Sequence, residues 1–308
     1  MRPAKILSFL AGVAVLVGVV VSILGFAACA KSPPPANSAP LAVASASDKA
    51  ADTTPPPGLD VSKLDDFQKK VFFRIANTEA SLCGQAQSLL ASAKADTSKG
   101  GCRRSLSGLR YVARLVEQGY TDSEVSEALA KRYRDTTPKA IDVSAAPMKG
   151  NPSAKVTLVE FADYECPHCK RLQPVLRQIL DEFHNDVKVY FKHYPLPQHT
   201  NARLAAEAAV AAQQQQKFWQ FQDMLWDKQD ELGPAEIEKI AKESGLDVTK
   251  FRQDLDSQAV KAHVQKDRSD GQALGLQATP TIYINGREYT DPKDTDSLRE
   301  WIKEELAK

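Results

Sequence analysis

The chain has 308 residues, 43% of them hydrophobic, enough to fill a core and to build one large or two modest domains. Its 40 Lys+Arg and 39 Asp+Glu nearly cancel, which argues against a nucleic-acid or polyanion-binding surface. Five cysteines fall as a lone residue, Cys29, a distant pair, Cys83 and Cys102, and a tight pair, Cys166 and Cys169.

Residues 1–29 read as an export and tethering segment. Two positive charges in MRPAK precede Ile6–Ala28, a run of 23 uncharged residues. A secretory h-region needs about 7–15 residues and a membrane span about 20, so the length favours an uncleaved anchor. The run ends Phe26-Ala27-Ala28-Cys29, which resembles a bacterial lipobox with Phe26 where Leu is usual, and the resemblance implies lipidation of Cys29. Either reading tethers the protein to a membrane and places the remainder of the chain on the periplasmic side of a bacterial envelope, where disulfides persist. Residues 30–58, rich in Pro, Ala and Ser, lack the apolar groups for a core and read as a disordered or polyproline-like tether.

Residues 59–137 read as a small helical domain. Phe67, Val71, Phe72 and Ile75 form one apolar stripe, and Leu109, Val112, Ala113 and Val116 a second that Gly119 stops. Thr121 and Glu124 make a capping box for a third helix carrying Val125, Leu129 and Tyr133. Cys83 and Cys102 flank the turn signal KADTSKGG. In an oxidising compartment they predict a disulfide tying two helix ends, with about 3 kcal/mol of stabilisation on the chain-entropy model. A second redox pair is the alternative. The stretch GYTDSEVSEALAKRY, with a cysteine after the first helix, resembles the helical domain of CcmH-type cytochrome c maturation proteins. That family carries LRCxxC where this chain reads SLCGQAQ, so its thiol chemistry is not implied here.

Residues 134–152 read as a linker, and from 153 strand and helix alternate. VTLVEF is a buried strand, KRLQPVLRQILDEF a helix with Pro174 inside it, and VKVYFKHY a second strand. Residues 198–275 are Ala/Gln/Lys-rich and helical, and Phe218, Trp219, Phe221, Leu225 and Trp226 predict the core of that block. TIYINGREY is a hairpin turning at Asn285-Gly286, and LREWIKEELAK closes the chain as an amphipathic helix. The layout is α/β.

The tight pair lies in FADYECPHCKRLQP. With Cys166 as N-cap, Pro167 takes the first helical position, His168 the second and Cys169 the third. The first sulfur then sits at the positive end of a helix, beside orphan N–H groups, which stabilises a thiolate and lowers its pKa to roughly 3.5–7.5. His168 adds a donor or a positive charge. A stabilised thiolate stabilises the reduced form and makes the disulfide oxidising, so electrons flow in from substrate dithiols. A zinc clip lacks its ligands: His168 lies between the two cysteines, and there is no second Cys-x-x-Cys or His pair. A static staple stays open on spacing alone. Asp163 and Lys192 are candidate charge-tuning neighbours, and His193 and His199 read as loop or strand-end residues.

VTLVEFADYECPHCKRLQP, followed much later by QATPTIYINGREY, is similar to the DsbA-like branch of the thioredoxin superfamily over residues 139–308. The resemblance implies a thioredoxin fold at 138–308 with a helical insert near 198–275, preceded by the small all-α domain. It implies that Cys166 is the exposed nucleophile and Cys169 the buried resolving thiol. Glu160 becomes a buried carboxylate that assists proton transfer, and Thr279-Pro280 a cis-proline pair that orients substrate. The expected activity is thiol:disulfide exchange with cysteine-containing exported proteins, as an oxidase, with no bound cofactor and no metal. A membrane redox partner would re-oxidise the dithiol. The rivals are an isomerase or reductase, linked to cytochrome c maturation in one version, and a non-catalytic apoprotein-binding module.

Overall fold

The structure, a computed structural model, describes residues 51–95, 102–134 and 137–308. The expected anchor, Cys29 and the tether up to residue 50 lie outside the described residues. Among the described residues no helix is long and apolar enough to cross a membrane.

The N-terminal helical unit consists of α1 (Asp66–Thr78), α2 (Leu89–Lys94), α3 (Arg103–Glu117) and α4 (Asp122–Leu129), which runs on into a π-helical turn, Ala130–Arg134. Capping boxes start α1, through Asp65 and Gln68, and α4, through Thr121 and Glu124. Phe72, Ile75, Leu89, Leu90, Leu109, Val112, Val125 and Leu129 make the core, each contributing about 1.5–3 kcal/mol of burial. Two details differ from the sequence reading. Phe67 is 74% exposed, because it stands in the first turn of α1, beyond the end of the stripe, while Phe73 and Ala76 are buried in its stead. The short helix α2, capped by Ser88, stands just before the turn signal KADTSKGG, where the sequence reading has no helix. A disulfide joins Cys83 to Cys102, the N-cap of α3, with Cα atoms 5.9 Å apart.

The second part is built on a five-stranded sheet ordered β1-β3-β2-β4-β5: β1 (Met148–Gly150), β2 (Val156–Ala162), β3 (Val187–His193), β4 (Thr281–Ile284) and β5 (Arg287–Glu288). β2 and β3 run parallel, joined by α5 (Pro167–Glu182), which continues through Pro174. The remaining pairings are antiparallel. β1 lies in the stretch read as linker. Its three residues show no alternation to recognise, and the open edge of β3 recruits them. Between β3 and β4 stands the insert: α6 (Ala202–Gln214), α7 (Phe218–Asp227), a 3-10 turn (Gln229–Glu231), α8 (Pro234–Glu243), α9 (Val248–Asp256) and α10 (Gln258–Ala273). Buried alanines of α6 let it sit close against Phe218, Phe221, Leu225, Trp226 and Phe251. The terminal helix, α11 (Thr295–Leu306), packs Leu298, Trp301 and Ile302 against Val156, Leu158, Ile282 and Ile284.

The strand alternation of β2 sends Val156, Leu158 and Glu160 to the face covered by α5 and α11, and Val159 and Phe161 to the other. The β4–β5 turn uses positive φ at both Asn285 and Gly286, as a type I′ hairpin demands. A Cβ at Gly286 would lie 2.6 Å from the Lys139 carbonyl. Asn285 also bonds Thr157, at the start of β2. The helical unit is fastened at this end of the sheet. Arg132 and Arg114 share the fully buried Asp291 carboxylate, Arg132 also pairs with Glu304, and its guanidinium lies 4.5 Å from the Trp301 ring. Cys166 lies beyond the opposite, C-terminal end of β2.

Candidate active site

β2 ends at Ala162, and Asp163-Tyr164-Glu165 carries the chain into α5. The Asp163 carboxylate is buried and organises this turn. It accepts from the amides of Glu165 and Leu196, both at 2.7 Å, and lies 2.8 Å from His199 Nδ1. Burial pushes its pKa up, against those hydrogen bonds. Glu165 in turn accepts from the Asn201 amide at 2.7 Å, so the loop after β3 is bound to the turn before the helix.

Cys166 is the N-cap of α5 with extended backbone (φ −81°, ψ 117°), and Pro167 takes the first helical position. The Cys169 amide donates to the Cys166 carbonyl at 3.1 Å, closing the first turn. Both thiols are free. Cys169 is fully buried, and Cys166, expected to be exposed, is buried as well, at 5% exposure, with its sulfur against the Thr279 loop. The Cys166 pKa is lowered to about 4. A hydrogen bond from the Cys169 thiol is the chief cause, helped by the amides of Cys169 and His168, with burial acting the other way; the Thr279 hydroxyl has no hydrogen-bond partner. On its far side Cys166 Sγ lies 3.3 Å from the Thr279 carbonyl oxygen, next to the cis Thr279-Pro280 bond, where only the protonated thiol can donate. Burial, the Cys166 sulfur and the nearby Glu160 push the Cys169 thiol well up. One sulfur is therefore prepared to carry charge, and its neighbour to hold a proton.

The His168 ring does not reach the sulfur. It is exposed, with Nδ1 2.7 Å from the Arg171 guanidinium. With the ring turned to Arg171, what His168 gives the thiolate here is its backbone N–H. The expectation of a stabilising imidazole is corrected to that extent: Arg171, three residues on and hence on the same helix face, captures the ring.

Glu160 is 1% exposed, and burial raises its pKa to about 8, opposed by a hydrogen bond from Gln173. Gln173 Nε2 bridges Glu160 Oε1 at 2.9 Å and the Cys169 carbonyl at 3.2 Å. Glu160, Gln173, Trp219 and Gln222 line a cavity of about 20 Å³, enough for one water molecule. Lys192 sits elsewhere. Its ammonium is held by Asp267 at 3.0 Å and Asp270 at 2.7 Å, so it is neutralised away from the dithiol. His193 ends β3 fully buried, with no partner on either ring nitrogen, and burial holds its pKa well below the usual value. Among the described residues there is no cluster of three His, Cys, Asp or Glu side chains suited to a metal ion.

Two residues of the site were not singled out in the sequence. Gln173 had a signal, since it stands four residues after Cys169 on the same face of α5. Gln229, in the insert, had none. Its buried amide donates to the Tyr164 carbonyl at 2.7 Å and the Cys166 carbonyl at 3.0 Å.

Comparison with known proteins locates the same segment. The family model described as Thioredoxin matches residues 143–304. The crystal structure of oxidised BdbD from Bacillus subtilis superposes with a TM-score of 0.52 at 30% identity, covering 57% of this chain and all of that one. Among curated proteins, the chain is 35% identical over 159 residues to the Na(+)/H(+) antiporter NhaA 3 of Salinispora tropica, covering 51% of this chain and 24% of that protein. It is 35% identical over 163 residues to NhaA 1 of Mycolicibacterium gilvum, covering 52% and 26%. The chain thus spans about a quarter of the length of these curated relatives, and the family segment leaves the N-terminal helical unit outside it.

Proposed function

Because the chain belongs to the thioredoxin family, with the DsbA-like placement of a helical insert between β3 and β4, we propose that it is an envelope thiol:disulfide oxidoreductase that oxidises dithiols of exported proteins. The observation that carries this reading is the divergence of the two thiols, with Cys166 at about 4 and Cys169 pushed up, beside the Thr279-Pro280 backbone.

In the oxidised enzyme a substrate thiolate attacks Cys166 Sγ. The Cys166–Cys169 bond breaks, and Cys169 leaves as a thiolate. Glu160, neutral at pH 7, supplies the proton that quenches that buried charge. The substrate's second thiolate then attacks the substrate sulfur of the mixed disulfide and expels Cys166, a good leaving group because its thiolate is stable. The substrate gains a disulfide, and the enzyme holds two electrons as a dithiol. The backbone before Pro280 offers a strand-like edge to an extended substrate segment, a contact tolerant of sequence. A membrane redox partner re-oxidises the dithiol, and the uncharged run Ile6–Ala28 with Cys29 supports a tethered location for that exchange.

The equilibrium of the Cys166/Cys169 couple with glutathione tests the direction. An oxidase is expected well above the roughly −200 to −230 mV of glutaredoxins, and a value near thioredoxin's roughly −270 mV sinks the oxidase reading in favour of a reductase.

A further inference from the structure

We propose that Gln229 is a positioning residue through which the helical insert sets the reactivity of Cys166; the inference rests on the exchange reaction proposed above. Gln229 opens the 3-10 turn between α7 and α8 and is 7% exposed. Its single NH₂ group holds two carbonyls of the catalytic turn, Tyr164 at 2.7 Å and Cys166 at 3.0 Å. The Cys166 carbonyl also receives the amides of Cys169 and Lys170, at 3.1 and 3.2 Å. Gln229 is thus a third donor on the oxygen that begins α5. A second amide of the insert takes the same path: the Tyr164 hydroxyl donates to Gln222 Oε1 at 3.3 Å, and Gln222 lines the small cavity beside Glu160.

The effect of this anchor depends on redox state. In the oxidised enzyme the Cys166–Cys169 bond itself fixes the first turn of α5. In the reduced enzyme that restraint is gone, and the aim of the His168 and Cys169 amides at Cys166 Sγ depends on what holds the Cys166 backbone. Gln229 supplies that hold from outside the thioredoxin sheet. It stabilises the reduced form more than the oxidised one, and so makes the disulfide more oxidising. Any displacement of the insert on its sheet, such as a bound substrate would impose, is transmitted through this amide to the nucleophile.

The test is Gln229→Met, which keeps length and bulk and removes both donors, measured in the full chain beside the wild type. Three quantities are read: the equilibrium with glutathione, the Cys166 thiolate absorbance against pH, and the thermal unfolding of each redox form. Expected are an equilibrium moved about three- to tenfold towards the disulfide, a higher Cys166 thiol pKa, and a larger loss of melting temperature in the reduced form. An equilibrium within twofold of wild type, with both forms destabilised alike, overturns the proposal and leaves Gln229 a structural residue. Should the variant not fold, the wild-type protein decides. The Gln229 side-chain NH₂ is expected to exchange slowly and to change its NMR shift on reduction, and an amide that exchanges freely in both forms overturns it. A wild-type dithiol that does not equilibrate with glutathione defeats the proposed function itself, a result distinct from a variant that merely tracks the wild type.

Discussion

The two cysteine pairs begin from the same local position and end in different chemistry. Cys102 caps α3 and Cys166 caps α5, both with extended backbone. Each sulfur therefore meets the positive end of a helix of 15 or 16 residues. What separates them is the partner. Cys102 is bonded to Cys83, 19 residues earlier on a separate loop, and closing a loop of that size restrains the unfolded chain. The partner of Cys166 is three residues later in the same turn, where closure restrains little, and the Thr279 loop faces the first sulfur from the other side. A helix end favours a thiolate in both places; a second thiol in the same turn, and the Thr279 loop against the first sulfur, set Cys166 apart.

The strongest way to break this contrast is to exchange the losses. Cys166→Ser is expected to abolish thiol exchange with a dithiol peptide while the protein stays folded. Cys83→Ala with Cys102→Ala is expected to leave the exchange rate within about twofold, since the sites lie far apart and share no partner. The same double variant is expected to lose about 3 kcal/mol in urea unfolding. If it loses exchange as well, the distant pair belongs to the chemistry and the contrast collapses.

How much of this was legible in the sequence depends on the range of the interactions. Local grammar reads well. The N-cap spacing of Cys166 and Cys169, the Thr121–Glu124 box and the Asn285-Gly286 turn are each set within a few residues, and the structure has them. The Arg171 that captures the His168 ring and the Gln173 that bridges Glu160 to Cys169 are also local, three and four residues along one helix, and were readable in principle. Gln229 was not, because its role exists only once the insert folds back onto a turn 63 residues away in sequence. The Arg132–Asp291 fastening, 159 residues apart, is invisible for the same reason. The exposed Phe67 shows the converse limit: a stripe tells which face is apolar but not how far along the helix a neighbour covers it.

The stability of the two redox forms sharpens the comparison. The Cys166 pKa is depressed from the ordinary 9.0 to about 4 in the folded state. A depressed acid adds stability that is present above the unfolded value and lost as pH falls through the folded one. Reduced Cys166/Cys169 protein is therefore expected to melt above the oxidised form at pH 7, with the gap closing towards pH 4. Reducing Cys83–Cys102 is expected to lower the melting temperature at every pH. Calorimetry of each state from pH 4 to 8 separates the pairs, and a dithiol site whose oxidised form melts higher at pH 7 contradicts the thiolate argument. Acid adds a common trend: His193, held neutral by burial, takes up its proton only on unfolding, so both forms weaken below about pH 6.5.

The finest distinction is the proton. Nothing near Cys102 needs a donor if its disulfide does not cycle, whereas Cys169 leaves as a buried anion beside Glu160, whose pKa is raised from 4.5 to about 8. Glu160→Gln keeps the shape and the contact with Gln173 but has no proton to give. Exchange is expected to slow roughly tenfold at pH 7, below the roughly hundredfold lower end of general-acid effects because solvent can substitute slowly. The inflection near pH 8 in the rate profile is expected to disappear. Stability moves the other way. A raised acid contributes in full below 4.5, and that contribution is lost as pH rises through 8, so the variant gains almost nothing at pH 4 and roughly 4 kcal/mol at pH 8. A slower enzyme that is also more stable in alkali is the expected signature of a proton donor kept neutral by burial. An unchanged rate, or a profile that still bends near pH 8, would assign the proton step to another group.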